Sequence, residues 1–310
     1  MAIRLSENFR ALFYAPFYAA HAIGAYRAEG IDVTLLPSSD PARTAAALRS
    51  GEVDVMWGGP LRVMLTHAQD PAADTVCFCD AVARDPFFIV GREPRPDFRF
   101  ADLSGVRFAS VAEVPTPWLC LQDDIRRAGI DPAGLDRVSG PSMAENAAAL
   151  RSGALGAVQL FQPYAEELVA SGAGHVWYAA ANRGLAAYTV LVTRRPLLDA
   201  RRDELLAMTR AMARTLRWIA ATPGSEAARA LADFFPALPP GIFAAAIDRY
   251  RALQLFAQDP LVKREGFDRL QAAMRSGGAL DRAIPFEDCV DNSLAEQAVA
   301  DRRVLPDKPA

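Results

Sequence analysis

Lysine is almost missing from this sequence of 310 residues, in which Lys263 and Lys308 are the only two. Arginine carries most of the positive charge, the net charge is −3, and no stretch concentrates basic residues. Nucleic acids and anionic membranes attract clustered cations, so neither is an expected partner. The scarcity of lysine also removes most of the side chains that could form imines with a carbonyl group.

Cysteine and histidine are scarce as well, with four and three residues. No Cys-x-x-Cys pair and no Cys/His spacing typical of zinc occurs, so we predict no metal site. Cys77 and Cys79 alternate along an apparent strand, which predicts two buried structural thiols on one face. His21 shares a helix face with Phe17 and is interpreted as a buried histidine. No spacing supports a catalytic constellation, so we predict no catalytic residues and no enzyme.

No apolar run is long enough to span a bilayer, and the first residues enter a strand pattern without a signal peptide. The composition, 51% hydrophobic and 23% charged, is typical of a soluble globular protein with room for two domains. Two locations stay open. The protein is periplasmic if an export segment has been removed, and cytoplasmic otherwise.

The first third of the chain alternates strands with helices. Strands are predicted at 3–5, 31–36 and 53–57, with helices at about 17–28 and 41–50. Asp40 is the expected N-cap of the second helix, with Pro41 in its first position. This alternation predicts a parallel sheet with helices on both faces. A second alternating run follows from 106, and a long helix is predicted at 198–221.

The six residues AALRSG occur twice, at 46–51 and at 148–153. Each copy leads into a strand and then a turn that contains proline. The shared order of helix, strand and turn favours two equivalent lobes. Apolar strands at 87–90 and 188–192 are interpreted as the places where the chain leaves the first lobe and returns. Two such crossings form a hinge that can close on a ligand.

The predicted fold class is therefore α/β, with two Rossmann-like lobes and a two-strand hinge. The first lobe is assigned residues 1–88 and 190–310, with the C-terminal helices packed on it. The second lobe is assigned residues 89–189. In open α/β sheets the ligand lies beyond the carboxyl ends of the strands, so loops of both lobes are expected to line a shared cleft.

Three segments carry a family resemblance: GAYRAEGIDV at 24–33, LRSGEVDV at 48–55 and FADLSGVRFA at 100–109. They resemble the type II periplasmic binding proteins, in the branch that binds nitrate, alkanesulfonates, taurine and thiamine-pyrimidine precursors for ABC importers. The resemblance covers about residues 1–235. It implies a small-molecule ligand, an ABC permease as partner and no cofactor, and we expect a monomer.

In that family the ligand lies between the lobes, against loop amides, aromatic walls and a few polar side chains. Carried over by position, the candidate ligand-binding residues are Phe13, Tyr14, Tyr18, Ser38, Ser39, Trp57, Gly58, Gly59, Glu113, Thr116, Trp118, Phe161, Gln162, Asn182 and Arg183. Tyr14, Trp57 and Trp118 are preferred among the aromatic residues, because a side chain at a strand tip has little core to join. They indicate a ligand with a flat or apolar part, in a pocket of roughly 300–1,000 Å³.

Several of these residues have a second interpretation. The Gly58-Gly59 pair either brings backbone amides to an anion or only permits a tight turn. Ser39 either contacts the ligand or serves the helix start beside Asp40. Glu113 and Arg183 either pair with a charged ligand, pair with each other, or are solvated.

The predicted function is capture of a small organic ligand, anionic or aromatic, for an ABC importer. The alternative is a cytoplasmic enzyme on the same scaffold. The resemblance to a thiamine-pyrimidine synthase requires a pocket lysine for pyridoxal phosphate, and no lysine precedes Lys263. The resemblance to aryl sulfinate desulfinases requires a first-loop cysteine, where this chain has Phe13-Tyr14. A ligand sensor or carrier without a transporter is a third possibility.

Overall fold

Two five-stranded sheets form the frame of the molecule in a computed structural model, which describes residues 2–301. The strands in chain order are β1 (Ile3–Ser6), β2 (Val33–Leu36), β3 (Val55–Gly58), β4 (Thr75–Val82), β5 (Phe88–Gly91), β6 (Phe108–Ala109), β7 (Arg137–Val138), β8 (Ala157–Leu160), β9 (His175–Ala179) and β10 (Thr189–Arg194). The first sheet has the order β2-β1-β3-β10-β4, and the second has the order β7-β6-β8-β5-β9.

The two sheets have the same internal plan. In the first, β1 is parallel to β2 and β3, while β10 is antiparallel to both of its neighbours. In the second, β6 is parallel to β7 and β8, while β5 is antiparallel to both of its neighbours. The antiparallel strands β10 and β5 are each the first strand that the chain forms after it passes from one lobe to the other. The predicted fold class, α/β with two Rossmann-like lobes, is confirmed.

Helices cover both sheets. They are α1 (Ala15–Ala22), α2 (Ala25–Ala28), α3 (Pro41–Ser50), α4 (Pro60–Gln69), α5 (Thr116–Arg127), α6 (Met143–Ser152), α7 (Tyr164–Ala170), α8 (Arg195–Ala200), α9 (Arg202–Ala221), α10 (Gly224–Ala230), α11 (Pro240–Ala252), α12 (Arg264–Ser276), α13 (Phe286–Cys289) and α14 (Ser293–Ala300). Within residues 2–301, none of these helices has both the length and the apolar character needed to cross a bilayer.

Two predicted helices are each divided in two. The helix predicted at 17–28 is interrupted at Gly24, whose φ of 69° is left-handed and ends the regular run after α1. The helix predicted at 198–221 is interrupted at Arg201, which has φ −120° and ψ 34°. Arg201 Nε donates a hydrogen bond to Glu204 Oε1 at 2.8 Å. Local backbone geometry therefore sets boundaries that the hydrophobic pattern did not show.

The repeated AALRSG segment occupies the same place in both lobes. It forms the ends of α3 and α6, which stop at Gly51 and Gly153 in the left-handed conformation, with φ of 78° and 82°. Each helix leads into the strand at the centre of its sheet, β3 or β8. The repeat in the sequence thus reflects equivalent structural positions.

Two crossing segments connect the lobes, the first crossing at residues 83–87 and the second at residues 180–188. Their backbones are bonded to each other, since Ala186 N–H donates to Ala83 O at 2.8 Å and Ala180 N–H donates to Phe87 O at 2.9 Å. The assignment of 1–88 with 190–310 and of 89–189 to the lobes stays a prediction. Its last residues, 302–310, lie outside the described part of the chain.

The C-terminal helices pack on the first lobe and also reach the second. The long helix α9 contacts α1, α2 and β4, as expected. In addition, α11 contacts α7 and α12 contacts α5 in the second lobe. Arg249 of α11 forms an ion pair with Glu166, and Arg126 Nη1 donates to Ser276 O of α12 at 2.9 Å. The tail therefore joins the two lobes and also packs on the crossing segments, since Ala83 N–H donates to Leu255 O at 3.0 Å and Arg269 Nη1 donates to Arg183 O at 2.7 Å.

All four cysteines are buried and free, as predicted for structural thiols. The prediction that Cys77 and Cys79 share a face is wrong. The pairing of β4 with β10 shifts register between Leu191 and Val192, opposite these two cysteines. This irregularity places Cys77 in the core cluster that contains Cys289, and Cys79 in the cluster that covers the other face.

Candidate functional site

Aromatic residues of the first lobe meet at the tip of β3. The Trp57 ring is fully buried and lies parallel to Phe17, with centroids 4.7 Å apart and planes 4° apart. Tyr18 meets the indole edge-on at 5.5 Å, and Tyr14 lies 5.8 Å from it. Three candidate residues, Tyr14, Tyr18 and Trp57, are therefore brought together. Phe17 and these three candidates all belong to one buried core cluster.

Both tyrosine hydroxyls of this cluster are hydrogen-bonded within the first lobe. The Tyr18 hydroxyl donates to Glu7 Oε2 at 2.8 Å, and Asn8 Nδ2 donates to the Tyr14 hydroxyl at 3.1 Å. Burial raises the pKa of both tyrosines, so the hydroxyls stay protonated. The buried indole N–H of Trp57 has no hydrogen-bond partner in residues 2–301.

A buried carboxylate, Glu7, follows β1 directly, and the sequence reasoning missed it. Glu7 is 2% exposed, and Arg10 pairs with it, with Nη2 at 3.0 Å from Oε1. Arg10 Nη1 also donates to the carbonyl of Phe234 at 2.8 Å. The resemblance had placed the first loop at 13–16, whereas the chain leaves β1 at Ser6. The polar run that follows β1 in the sequence was the available signal.

Phe161 is the candidate from the second lobe that contacts the aromatic residues of the first-lobe loop after β1. Phe161, which follows β8 directly, lies 5.3 Å from Phe13 with ring planes at 70°, and 6.5 Å from Phe9 with planes at 24°. It also meets Phe87 of the first crossing at 5.3 Å. Rings from the two lobes and from the hinge thus pack against each other where the lobes face.

Ser38 and Ser39 lie in a different place, a groove of about 420 Å³ that runs along α3. Its lining residues all belong to the first lobe. The Ser38 hydroxyl accepts from Thr44 Oγ1 at 2.8 Å. Asp40 caps α3 as predicted, because its Oδ1 accepts from Ala42 N–H at 2.8 Å. Ser38 is therefore tied to the helix start, while Ser39 is exposed.

The two glycines form the turn from β3 into α4. Gly58 is buried at the end of the strand, and Gly59 is the N-cap, with φ −74° and no side-chain cap. A Cβ on Gly59 would lie 3.4 Å from the Tyr188 carbonyl oxygen. A Cβ on Gly58 would meet Met56 Cε at 3.8 Å. Both distances are those of ordinary van der Waals contact and do not require glycine, while the amides at the start of α4 fit an anion-binding role.

The candidates around α5 are used within the second lobe. Glu113 Oε1 accepts from Met143 N–H at 2.7 Å, at the first residue of α6. Thr116 is the first residue of α5. The Trp118 ring lies under the Arg137 guanidinium at 4.3 Å and beside Phe108 at 6.4 Å. In the described chain these contacts keep Trp118 within its own lobe, apart from the Trp57 cluster.

Arg183 is bound by two buried carboxylates. Its Nη1 donates to Asp85 Oδ2 at 2.7 Å, and its Nε donates to Asp124 Oδ1 at 2.8 Å. Burial opposes the charge on this guanidinium, but the two carboxylates outweigh it and raise the pKa of Arg183. Burial also opposes the charge on Asp85 and raises its pKa, although the nearby Arg183 guanidinium acts to lower it. Asn182, the residue before Arg183, is exposed.

Gln162 is fully buried beside the hinge. Its backbone N–H donates to the Tyr250 hydroxyl at 3.0 Å, and its Oε1 accepts from Glu166 N–H at 2.9 Å. The Tyr250 hydroxyl in turn donates to Pro86 O in the first crossing at 3.3 Å. These contacts fix the loop after β8, and with it Phe161, against α11 and the hinge.

No group of three or more metal-ligating side chains is assembled within the part of the chain that the structure describes. Burial raises the pKa of Cys77, Cys79, Cys120 and Cys289, so these thiols stay protonated. The arrangement offers aromatic surfaces, a few donors and a hinge. Those are features of binding.

Comparison with known proteins agrees with this geometry. The model of the NMT1-like family matches residues 9–234. The "Putative binding protein YtlA" of Bacillus subtilis (strain 168) is 25% identical over 302 residues, which are 97% of this chain and 90% of YtlA.

Two solved structures have the same fold. One is titled "putative sulfonate ABC transporter, periplasmic sulfonate-binding protein SsuA", from Methylobacillus flagellatus KT, with a TM-score of 0.76 at 13% identity over 100% of this chain and 97% of that one. The other, the desulfurization enzyme DszB, has a TM-score of 0.68 at 14% identity over 96% and 99% of the two chains. The predicted type II periplasmic-binding-protein fold is confirmed, and binding proteins and an enzyme both use it.

Proposed function

Because this chain belongs to the NMT1-like family, we propose that it is a solute-binding protein that captures a small organic ligand between its lobes for an ABC importer. The observation that carries this proposal is the contact between Phe13 of the first lobe and Phe161, which directly follows the carboxyl end of β8 in the second lobe. Ligands in open α/β sheets bind beyond the carboxyl ends of the strands.

The walls of the proposed site differ in their freedom to contact a ligand. Phe13, Tyr14, Tyr18, Trp57 and Phe161 are each at most 7% exposed, so they would supply an aromatic surface only when the lobes separate. The indole N–H of Trp57, which has no hydrogen-bond partner within residues 2–301, would then supply a donor. The other candidates remain predictions, although Ser38 and Ser39 line the separate groove along α3 and Trp118 packs within the second lobe: Ser38, Ser39, Gly58, Gly59, Glu113, Thr116, Trp118, Gln162, Asn182 and Arg183. In this arrangement Arg183 and Gln162 act by fixing the hinge.

The importer role sets the proposed partners and location. A binding protein of this kind works as a monomer in the periplasm and delivers its ligand to a permease. The SsuA structure of the same fold is described as the periplasmic sulfonate-binding protein of a putative sulfonate ABC transporter. This description supports the importer role by analogy of fold.

The chemistry of the side chains favours binding over catalysis. The cysteines are buried and protonated, so a thiolate nucleophile of the desulfinase type has no counterpart among the described residues. Lys263 is held by Asp259, with Nζ 2.8 Å from Oδ2. A capture site needs neither group.

The test is to identify what the protein carries. Purified protein is denatured, the released small molecules are identified by mass spectrometry, and each is titrated back by calorimetry. We expect one organic compound to bind in a 1:1 ratio and to be recovered unchanged. Recovery of a chemically altered compound would favour the enzyme alternative, and the absence of any bound or binding solute would overturn the proposal.

A further inference from the structure

The first lobe has a narrow crevice between α3 and α4. The strands beneath it contribute Met56, Thr75 and Val192 to its lining, and the two helices contribute Arg49 and Arg62. Its volume is about 10 Å³, which is enough for about one water-sized atom. None of the residues that line it is a candidate ligand-binding residue of the interlobe cleft. The crevice is therefore a separate feature of the first lobe.

The Thr75 hydroxyl is a buried polar group without a partner. Thr75 is 6% exposed, and its Oγ1 forms no hydrogen bond within residues 2–301. Its side chain lies on the same face of β4 as Cys77, which belongs to the core cluster that α3 and α4 cover. Buried hydroxyls are ordinarily hydrogen-bonded. The free Oγ1 in the lining of the crevice therefore indicates a position for an acceptor atom from outside the chain.

Three arginine side chains lie around this hydroxyl without a counter-charge. Arg49 and Arg62 line the crevice, and Arg194 pairs directly with Thr75 in the sheet. None of the three forms an ion pair within residues 2–301, and Nε of Arg194 is buried without a hydrogen-bond partner. Burial and the charge of Arg49 both lower the pKa of Arg62. Asp40 has the opposite effect on Arg62, but its Oδ1 already accepts from backbone amides of α3.

The second lobe has the equivalent helices with their charge balanced. Arg151 has the position of Arg49 in the second copy of AALRSG, and its Nη2 lies 3.8 Å from Oε2 of Glu167 in α7. The first turn of α7 contains Glu166 and Glu167, whereas the first turn of α4 contains Arg62 and no acidic residue. The same arrangement of helices thus forms an ion pair in one lobe and a cluster of like charges in the other.

We propose that the crevice between α3 and α4 is a second binding site, which takes a small doubly charged oxyanion of the phosphate class. One oxygen enters the crevice and accepts from the Thr75 hydroxyl, while Arg49 and Arg62 donate to the oxygens that stay at its mouth. Arginine binds such groups through paired N–H donors. A tetrahedral oxyanion leaves three oxygens for the two guanidinium groups, whereas a carboxylate leaves one. This site is independent of the proposed capture of an organic solute.

The experiment measures anion binding to the full chain. The protein is titrated by calorimetry with inorganic phosphate, sulfate and acetate at about pH 8, where phosphate is mostly doubly charged. We expect phosphate and sulfate to bind with a Kd below roughly 1 mM, and acetate to bind at least about tenfold more weakly. Phosphate should also raise the melting temperature of the protein, because it binds only the folded state.

The variants remove one donor at a time. Arg62→Gln and Arg49→Gln should each weaken phosphate binding about tenfold or more. Thr75→Val keeps the shape of the side chain and should weaken it about fivefold. The matched control is Arg151→Gln, which removes the equivalent arginine of the second lobe and should leave phosphate binding unchanged. Circular dichroism confirms that each variant is folded.

The outcomes decide both the place and the class of the anion. Phosphate that binds R49Q and R62Q as tightly as the unchanged protein lies elsewhere, and this result overturns the site. No binding of phosphate or sulfate, or an equal loss in R151Q, also overturns it. Acetate that binds as tightly as phosphate overturns the oxyanion class, and an unchanged affinity in T75V removes the crevice from the site. None of these results bears on the solute-binding proposal, which the mass-spectrometric experiment tests separately.

Discussion

Arg183 and Asp85, which are 98 residues apart in the chain, form an ion pair. Arg183 Nη1 lies 2.7 Å from Asp85 Oδ2. The Arg183 side chain is 10% exposed and that of Asp85 is 1% exposed. The pair joins the second crossing to the first, and Asp124 of α5 accepts from the same guanidinium. The hinge is thus held by charge as well as by backbone hydrogen bonds.

Replacement of Arg183 by glutamine should destabilise the protein by about 3–5 kcal/mol, because two buried carboxylates lose their counter-charge. Urea unfolding followed by circular dichroism measures this change. Arg107→Gln is the matched control, since Arg107 forms an exposed pair with Asp136 at 3.7 Å, and its loss should cost at most about 1 kcal/mol. Equal effects of the two substitutions would contradict the assignment of the hinge pair.

Asp80 predicts a pH dependence of stability. Burial raises the pKa of this carboxyl to about 8, from the ordinary value of 3.8, and Oδ1 has no hydrogen-bond partner in residues 2–301. The unfolded chain releases this proton near pH 4 and the folded protein releases it near pH 8. The protonated Asp80 carboxyl therefore makes its full contribution to the free energy of unfolding below pH 4, and this contribution is lost as the pH rises to 8.

The variant Asp80→Asn should remove this dependence. We expect it to be more stable than the unchanged protein at pH 8, by an amount on the order of a few kcal/mol, and the difference to be clearly smaller at pH 5. Urea unfolding at both pH values provides the measurement. Stability curves that run parallel from pH 5 to pH 8 would show that Asp80 ionises normally.

The four cysteines should be unreactive in the native protein. Each is buried, and burial raises the pKa of each thiol, so the thiolate that attacks a disulfide reagent is not populated. A colorimetric disulfide reagent should detect no fast-reacting thiol in the folded state and four thiols in guanidinium chloride. Rapid labelling of one cysteine in the folded protein would reopen the case for a nucleophilic enzyme.

The equivalent helices α3 and α6 allow a paired test of capping. Asp40 accepts from two backbone amides of α3, and the Ser142 hydroxyl accepts from Glu145 N–H of α6. Asp40→Ala and Ser142→Ala should each cost about 0.5–2 kcal/mol in thermal or urea unfolding. Ser50→Ala, an exposed change at the end of α3, is the control and should have an effect within about 0.5 kcal/mol.

Local signals in the sequence predicted the frame of the molecule well. The AALRSG repeat and the Asp40 cap both act over short distances, and the structure has each of them in its predicted place. The helix boundaries at Gly24 and Arg201 were missed. There the hydrophobic pattern continues while the backbone changes direction.

The site was harder to predict because its contacts are long-range. Nothing near Phe161 in the sequence indicates that it faces Phe9, and nothing near Arg183 indicates that Asp124 neutralises it. Glu7 was passed over because a lone acidic residue after a strand is ordinarily solvated, and only the folded chain brings Arg10 and Tyr18 to it. Pairings of this kind are properties of the tertiary structure.

The order of strands in the first sheet has a consequence for synthesis of the chain. β10 lies between β3 and β4, so these two strands are joined only through β10 and the sheet is incomplete until residue 194 has been made. The second sheet consists of strands that are consecutive along the chain. The half of the molecule that emerges first from the ribosome is therefore completed last, and a fragment that stops before β10 lacks the strand that closes its sheet.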